Sequence, residues 1–511
     1  MTQDTSTNSP TTPSAHQATM AVRQSDETSS SPAISGLTRG LRWSAGNIAI
    51  GRAFSMVSSI VLARILAPEV FGVFAVTLVV LTGLVSLNDL GATNAIVRWP
   101  GSPDRAARTA TTLAWAMSLI GGALAIASAP LLAQWSAAPE ATLPIQVLAL
   151  GVLLDGIAAV PGALLTRGFH QDRRARADIA SLLTSIAVSI GLALAGFGIW
   201  ALVFGRLAGN AVAAIGVIIV APSRPRPGWN GDDARALLRF GLPLVGASAL
   251  VFVMANADTL VIARTLGAGA ALGFYVMAFN LSSWPLNVLS GTLRRVSLPT
   301  FARHQESPDR LGNSVLGTIQ LVSAIAALPC MLLSALAPWI IASVYGAKWT
   351  PAAAPLVFLA LLGWVRVLTE LGWDALIATG RTPRVLLLQA GWTLTLIPTL
   401  IVGTRMDGIR GAAIAHAGIA MLIVVPAFAW AMHRLGAHII ALLRRTLRPV
   451  ATAVVIGGAT YLAAHHLALR PVAVVLIVAP VSTLVFAAVV VRPRSLRSAW
   501  HDIVGGEDQP R

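Results

Sequence analysis

The sequence predicts an all-α polytopic membrane protein of about 14 transmembrane helices, with two six-helix repeats forming N- and C-lobes and a helix pair at the C-terminal end. Three observations lead there: a strongly apolar composition, a succession of runs long enough to cross a bilayer, and short motifs that return about 200 residues later.

The 511 residues are 55% hydrophobic and 11% charged, with a mean hydropathy of +0.73. Such values exclude an ordinary soluble domain. The net charge of +16 comes almost wholly from arginine, Lys348 being the one lysine. These cations are dispersed through short inter-helix loops, which argues for membrane topology and against a nucleic-acid surface. Cys330 is the single cysteine, so no intrachain disulfide can form.

Taken in order, residues 1–40 are rich in Ser, Thr and Pro without an apolar core, and they predict a disordered cytoplasmic tail followed by a retained helix. Residues 41–221 hold the six spans of the N-lobe: Trp43–Leu62, Val70–Leu90, Thr111–Leu132, Leu143–Leu165, Ile179–Phe197 and Ile199–Val220. A cytoplasmic linker, 222–239, leads to the C-lobe, 240–432, with Phe240–Ala263, Leu272–Leu293, Val315–Leu336, Pro355–Ala378, Val385–Val402 and Ile409–Met432. The pair Val450–Leu469 and Val472–Val491 lies within 433–491, and 492–511 forms a second cytoplasmic tail. With both termini inside, 28 of the 37 cationic residues fall on the cytoplasmic side and six outside, as the retention of positive residues requires.

The repeat is read from motifs. "VLARILAPEVFG" (Val61–Gly72) returns as "VIARTLGAGAALG" (Val261–Gly273), and "SPDR" at Ser102–Arg105 returns at Ser307–Arg310. Ala129–Pro130 returns at Ala337–Pro338, Leu148–Leu150 at Leu359–Leu361, and Gly168 at Gly380. The offset grows from 200 to 212, the behaviour of two copies separated by small loop insertions. An even number of helices per copy gives both halves the same orientation.

Arg64 and Arg264 fall in the last turn of equivalent helices, ended by Pro68 in one copy and Gly267 in the other. A cation there meets the negative end of the helix dipole and snorkels to the headgroups, or it contacts substrate at the outer mouth. In "SPDR", Ser or Asp is expected to cap the following helix. Deep polar residues do not repeat. Ser44, Asn47, Gly51, Ser55 and Ser58 form a stripe bordered by Arg52, suited to a substrate-facing lumen or to tight helix packing. Asn256 and Asp258 lie near the middle of the seventh span, and Arg52 and Asp258 are expected to face a common lumen, pairing or separating with the transport state.

On the tenth span Arg366, Glu370 and Asp374 follow at i, i+4 and i+8. They read as an internal Arg366–Glu370 ion pair or as a coupling-ion site at Glu370 or Asp374. Asp155, Arg206 and His416 are further single polar sites, His416 being an interhelical hydrogen-bond donor or a proton relay. No P-loop, metal-ligand spacing or nucleophile elbow is present, so the sequence predicts a non-enzyme without metal or cofactor.

"VLARILAPEVFGVFAVTLVVL", "LNDLGATNAIVR" (Leu87–Arg98) and "FGLPLVGASALVFVMANADTLVIARTLGAGAALGFYVMAFNL" (Phe240–Leu281) resemble the Wzx-type oligosaccharide flippases of the multidrug/oligosaccharidyl-lipid/polysaccharide (MOP) exporter superfamily. The resemblance spans about Leu41 to Val491. It implies a bacterial plasma-membrane transporter in which two lobes alternate access. Its substrate would be an undecaprenyl diphosphate-linked oligosaccharide, moved to the outer leaflet for cell-surface polysaccharide such as lipopolysaccharide O-antigen. The implied partners are that lipid-linked substrate, the bilayer, and the polysaccharide polymerase and chain-length machinery. A doubly anionic diphosphate needs a cationic lumen, for which Arg52 is the best-placed residue, with Arg206 and Arg366 behind it. The energy would come from an ion gradient or the membrane potential, about 2.3 kcal/mol per charge per 100 mV. The alternatives are a drug/cation antiporter of the same fold, using the Glu370 and Asp374 carboxylates, or a polytopic glycan polymerase or ligase.

Overall fold

The computed structural model describes residues 51–88, 92–100, 103–305, 307–466 and 470–490. Asn47, the tail expected over 1–40 and the tail expected over 492–511 lie outside the described residues. Every described regular element is helical. The N-terminal half contains α1 (51–65), α2 (Pro68–Asn88), α3 (Ala92–Val97), α4 (Asp104–Trp135), α5 (Thr142–Arg167), α6 (Gln171–Leu194) and α7 (Ile199–Val220). The C-terminal half contains α8 (Gly231–Leu266), α9 (Ala270–Ser282), α10 (Trp284–Arg303), α11 (Pro308–Ala335), α12 (Ala337–Val344), α13 (Ala353–Ala378), α14 (Thr382–Ile419) and α15 (Val425–His433). Beyond them come α16 (Ile439–His466), α17 (Pro471–Ala473) and α18 (Ala479–Val490).

Among the described residues eight helical stretches are long and apolar enough to cross a membrane, and Pro68–Leu84 is apolar but shorter. The expected spans are broken or merged for local reasons. The run expected as one helix over Leu272–Leu293 is interrupted at Ser283, because Pro285 sits in the first turn of α10. The stretch Thr382–His433 turns back on itself at Asp407 and Gly408, whose backbones are non-helical. Its two legs touch where a Cβ on Gly403 would stand 2.5 Å from the Gly411 carbonyl oxygen.

The linker expected over 222–239 is partly helical. Asn230 caps α8, its Oδ1 accepting from the backbone N–H groups of Asp232 and Asp233 at 3.1 Å. Asp233 then takes a bidentate bond from Arg105 of α4, at 2.9 and 3.0 Å. For "SPDR" the second copy corrects the expectation, since Ser307 at the cap makes no side-chain bond to its helix, while Ser102 of the first copy lies outside the described residues. In the first copy the motif's arginine ties α4 to the start of α8 instead.

Small residues set the closest helix contacts, as they do where packing rather than water drives association. Gly205 and Gly209 of α7 lie against Ser189 and Ser185 of α6, and Ser181 donates to the Gly209 carbonyl at 2.8 Å. The closest approach between the two halves uses repeat-related glycines, Gly72 of α2 and Gly273 of α9. A Cβ on Gly72 would stand 2.2 Å from the Gly269 carbonyl oxygen, and one on Gly273 would stand 2.1 Å from that of Pro68. Deeper along α2, Gly83 faces the Phe252 ring of α8. The largest buried core runs through this crossing and includes Ala63, Val73, Val76, Ile262, Leu272 and Trp349.

Gly72→Ala or Gly273→Ala is therefore expected to force the halves apart and cost about 1–3 kcal/mol. Gly391→Ala, where a Cβ meets nothing within 4 Å, is expected to be neutral or mildly stabilising. Thermal midpoints of the purified proteins in detergent check this ordering.

Candidate functional site

Helix ends leave carbonyls without intrahelical partners, and in a membrane protein these must be satisfied by other groups. At the end of the bundle where α1 stops, the two halves satisfy each other's. Arg64 of α1 donates from Nε to the Val344 carbonyl at 2.8 Å and from its terminal nitrogen to the Ser343 carbonyl. Those carbonyls close α12. In return Lys348 Nζ donates to the carbonyls of Arg64 (2.9 Å) and Leu66 (2.7 Å), and Trp349 Nε1 donates to that of Ala63 (2.7 Å).

Trp349 is fully buried, with Phe71 from the first half edge-on at 5.2 Å and Phe274 from the second at 5.9 Å. Arg64 thus acts on the helix end of the opposite half, a partner the sequence did not predict, while remaining exposed. Arg264, its repeat partner, stands exposed in the last turn of α8. The helix stops are as expected: α1 ends before Pro68, and Gly267, with φ at +84°, closes α8.

Lys348 and Trp349 were not singled out by sequence reasoning, although a signal existed. The repeat offset rises from 208 at Pro130/Pro338 to 211 at Leu148/Leu359. The second copy therefore has three extra residues in the stretch that holds both donors.

A second constellation lies inside the C-terminal half. Asp258 of α8 is buried; its Oδ2 accepts from Tyr275 Oη of α9 at 3.2 Å and lies 3.9 Å from His416 Nδ1 on the second leg of the α14 hairpin. Phe279, one turn beyond Tyr275, stacks on His416 at 6.3 Å and lies under the Arg366 guanidinium at 5.0 Å. Arg366 of α13 also donates to Ser283 Oγ at 3.2 Å. Asp258, Arg366 and His416, read from the sequence as separate sites, thus converge with Tyr275 and Phe279.

The expected Arg52–Asp258 pairing is not formed in this conformation. Arg52 and Ser55 are exposed on α1, while Asp258 is sealed among its own half's helices and faces no open lumen. Asn256 turns its amide back to the Phe252 carbonyl at 2.9 Å, a bond within α8. Asp374 is buried and accepts from Ser297 Oγ of α10 at 2.9 Å, with Glu370 half-buried one turn earlier. In the N-terminal half Asp155 and Arg206 are exposed on the packed helices α5 and α7. No group of three or more His, Cys, Asp or Glu suited to a metal ion occurs among the described residues.

These helices define a multi-pass membrane protein. Residues 61–354 match the family described as polysaccharide biosynthesis protein, and the chain belongs to that family. It is 28% identical over 328 residues to the succinoglycan biosynthesis transport protein ExoT of Rhizobium meliloti, covering 64% of this chain and 66% of that one. It is 26% identical over 381 residues to the lipopolysaccharide biosynthesis protein WzxC of Escherichia coli, covering 73% and 76%. The fold is shared with a solved structure of the lipid II flippase MurJ in an inward closed conformation, with a TM-score of 0.70, 14% identity and coverage of 87% and 99%. It is also shared with an inward-facing MATE transporter of the MOP superfamily, with a TM-score of 0.59, 17% identity and coverage of 77% and 96%.

Trp349→Phe keeps the packing but leaves the Ala63 carbonyl without its donor, so it is expected to cost about 1–3 kcal/mol. Thr350→Ala, which removes only a local bond to Ala347, is expected to cost less than half as much. Thermal denaturation of the two variants in detergent gives the comparison.

Proposed function

We propose that this protein flips a polyprenyl-diphosphate-linked oligosaccharide from the cytoplasmic to the outer leaflet of a bacterial plasma membrane, for cell-surface polysaccharide synthesis, by alternating access. The observation that carries the reading is the family match over residues 61–354. The names of the relatives, a succinoglycan transport protein and a lipopolysaccharide biosynthesis protein, agree with it. The chain is read as a transporter and not as an enzyme.

In this reading the chain has fourteen spans, with lobes over 41–221 and 240–432, a helix pair over 433–491, and both tails and the linker on the cytoplasmic side. The Arg64–Trp349 junction then lies at the outer face, where it closes the lumen from outside, and the Arg105–Asp233 tie lies at the cytoplasmic face. Arg52 and Arg206, exposed in the N-terminal half, supply cations for the diphosphate. Ser55 extends the same wall, and Asn47 is a further candidate from its place on the polar stripe in the sequence. Coupling to an ion gradient is assigned to carboxylates of the C-terminal half, Asp258 with Tyr275 and His416, and Glu370 and Asp374. An acid there that changes charge or partner alters the packing of α8, α9 and α13 on which the outer junction rests. Handover to a polysaccharide polymerase and chain-length machinery would follow outside.

Deletion of the coding sequence in its own host is expected to build up complete lipid-linked repeat units in the cytoplasmic leaflet. Reintroduced Arg52→Gln is expected to restore transport at least about tenfold less well than the wild type, at equal membrane abundance, because one charge-assisted phosphate contact contributes about 1.5–3 kcal/mol. Altered drug resistance without build-up of lipid-linked units would favour the antiporter and contradict the proposal.

A further inference from the structure

The first two turns of α8 belong to the second half by sequence and to the first half by packing. Leu237 is 1% exposed and completes an apolar cluster whose eight other buried members all lie between Ala95 and Leu164, on α3, α4 and α5. Five of those eight are alanine, and the room their short side chains leave is filled by the one leucine entering from α8. Ala234, one turn earlier, is buried as well.

The chain leading into α8 is fastened to the same half. Thr112 Oγ1 of α4 donates to the Gly228 carbonyl at 2.7 Å and accepts from the Gly228 N–H at 2.9 Å, and that N–H also reaches the Arg108 carbonyl at 3.3 Å. The linker lies so close on α4 that a Cβ on Gly228 would stand 3.2 Å from that of Arg108. The bidentate pair of Arg105 with buried Asp233 follows. Arg105 itself is 71% exposed, so the pair orients the start of the helix while Leu237 anchors it.

Further along, α8 is held by the other half, where Asp258 accepts from Tyr275 of α9 and faces His416 of α14. One 36-residue helix, about 54 Å long at 1.5 Å per residue, is thus built into a different half at each of these places. The halves can rock against each other only if one part of α8 leaves its socket or the helix bends between them. Leaving the first-half socket would expose Leu237, strip the buried Asp233 carboxylate of its partner and break the Gly228 bonds together. Bending asks for less, because Pro243 lies in the interval and has no N–H to bond the carbonyl four residues before it.

We propose that residues 228–238 stay docked on the first half throughout transport, and that α8 flexes between Leu237 and Asp258 as the second half moves. The inference rests on the alternating-access reading above. The Arg105–Asp233 tie is then a fixed mount and not a gate, in contrast to the Arg64–Trp349 junction, which must open.

The test uses the full chain in a Cys330→Ala background, reconstituted in vesicles, with flipping of a lipid-linked oligosaccharide as the readout. Arg105→Cys/Asp233→Cys is bridged by a short, reducible bifunctional thiol reagent, and the extent of bridging is read by mass spectrometry. Transport is expected at the same rate bridged and unbridged. If that pair does not fold, Arg108→Cys/Gly228→Cys takes its place, its Cβ spacing being close to that of a disulfide formed on oxidation. With either bridge in place, Pro243→Ala, which restores the missing helix bond, is expected to slow transport several-fold. Loss of transport on bridging with recovery on reduction, or an unchanged rate with Pro243→Ala, would each overturn the proposal. Transport that also continued across a bridged Arg64→Cys/Ser343→Cys pair would contradict alternating access itself and remove the ground on which the proposal stands.

Discussion

The structure depends on a reciprocal exchange at two helix ends. The carbonyls that close α1 are bonded by Lys348 and Trp349, and those that close α12 are bonded by Arg64. Of these bonds the one from Trp349 to the Ala63 carbonyl is buried, and losing it would cost about 1–3 kcal/mol, while those of Arg64 lie exposed and contribute less. The glycine crossing beside it brings Gly72 and Gly273 against each other's backbone, so that the exchange sits on a contact with almost no side chain between the halves. Hydrogen bonds at a helix end are lost within about an ångström of separation, so small movements of the halves would break the exchange, as the gating proposed above requires.

Much of this architecture is legible in the sequence because hydrophobic run length and motif repetition act through the chain itself. The repeat, the helix stops at Pro68 and Gly267 and the twice-placed arginine are all readable. What Arg64 touches is not, because its acceptors are backbone carbonyls at Ser343 and Val344, and a carbonyl leaves no mark in sequence. Its partners Lys348 and Trp349 sit in the extra residues of the second copy, where comparison of the copies gives an insertion but not its purpose. The arginines looked equivalent by repeat. The longer loop makes them unlike, and only Arg64 reaches a helix end across the junction.

The choice of partner for Asp258 shows the same limit. Arg52 was the expected counter-charge because both are deep charges that do not repeat, yet depth along a helix does not fix which faces meet. Burial decides the outcome: an acid this deep is held by the donors closest to it, Tyr275 Oη on the next helix and the backbone N–H of Thr259, with His416, more than 150 residues away in the chain, at 3.9 Å. Phe279 joins that pair to Arg366, its ring lying against both His416 and the guanidinium. The divergence between the copies therefore places a buried polar cluster in the second half and an exposed cation, Arg52, in the first. In the proposed cycle the first half supplies the site for the diphosphate and the second half supplies the site that responds to ions, with the helix-end exchange as the contact both must break.

The most direct test of the gate is a reversible lock. In a Cys330→Ala background, Arg64→Cys/Ser343→Cys is bridged by a short, reducible bifunctional thiol reagent, and flipping of a lipid-linked oligosaccharide is measured in vesicles before and after reduction. The account predicts transport in the unbridged double variant, its loss on bridging and its return on reduction. Undiminished transport across an intact bridge would contradict the account, since the junction would then not need to open.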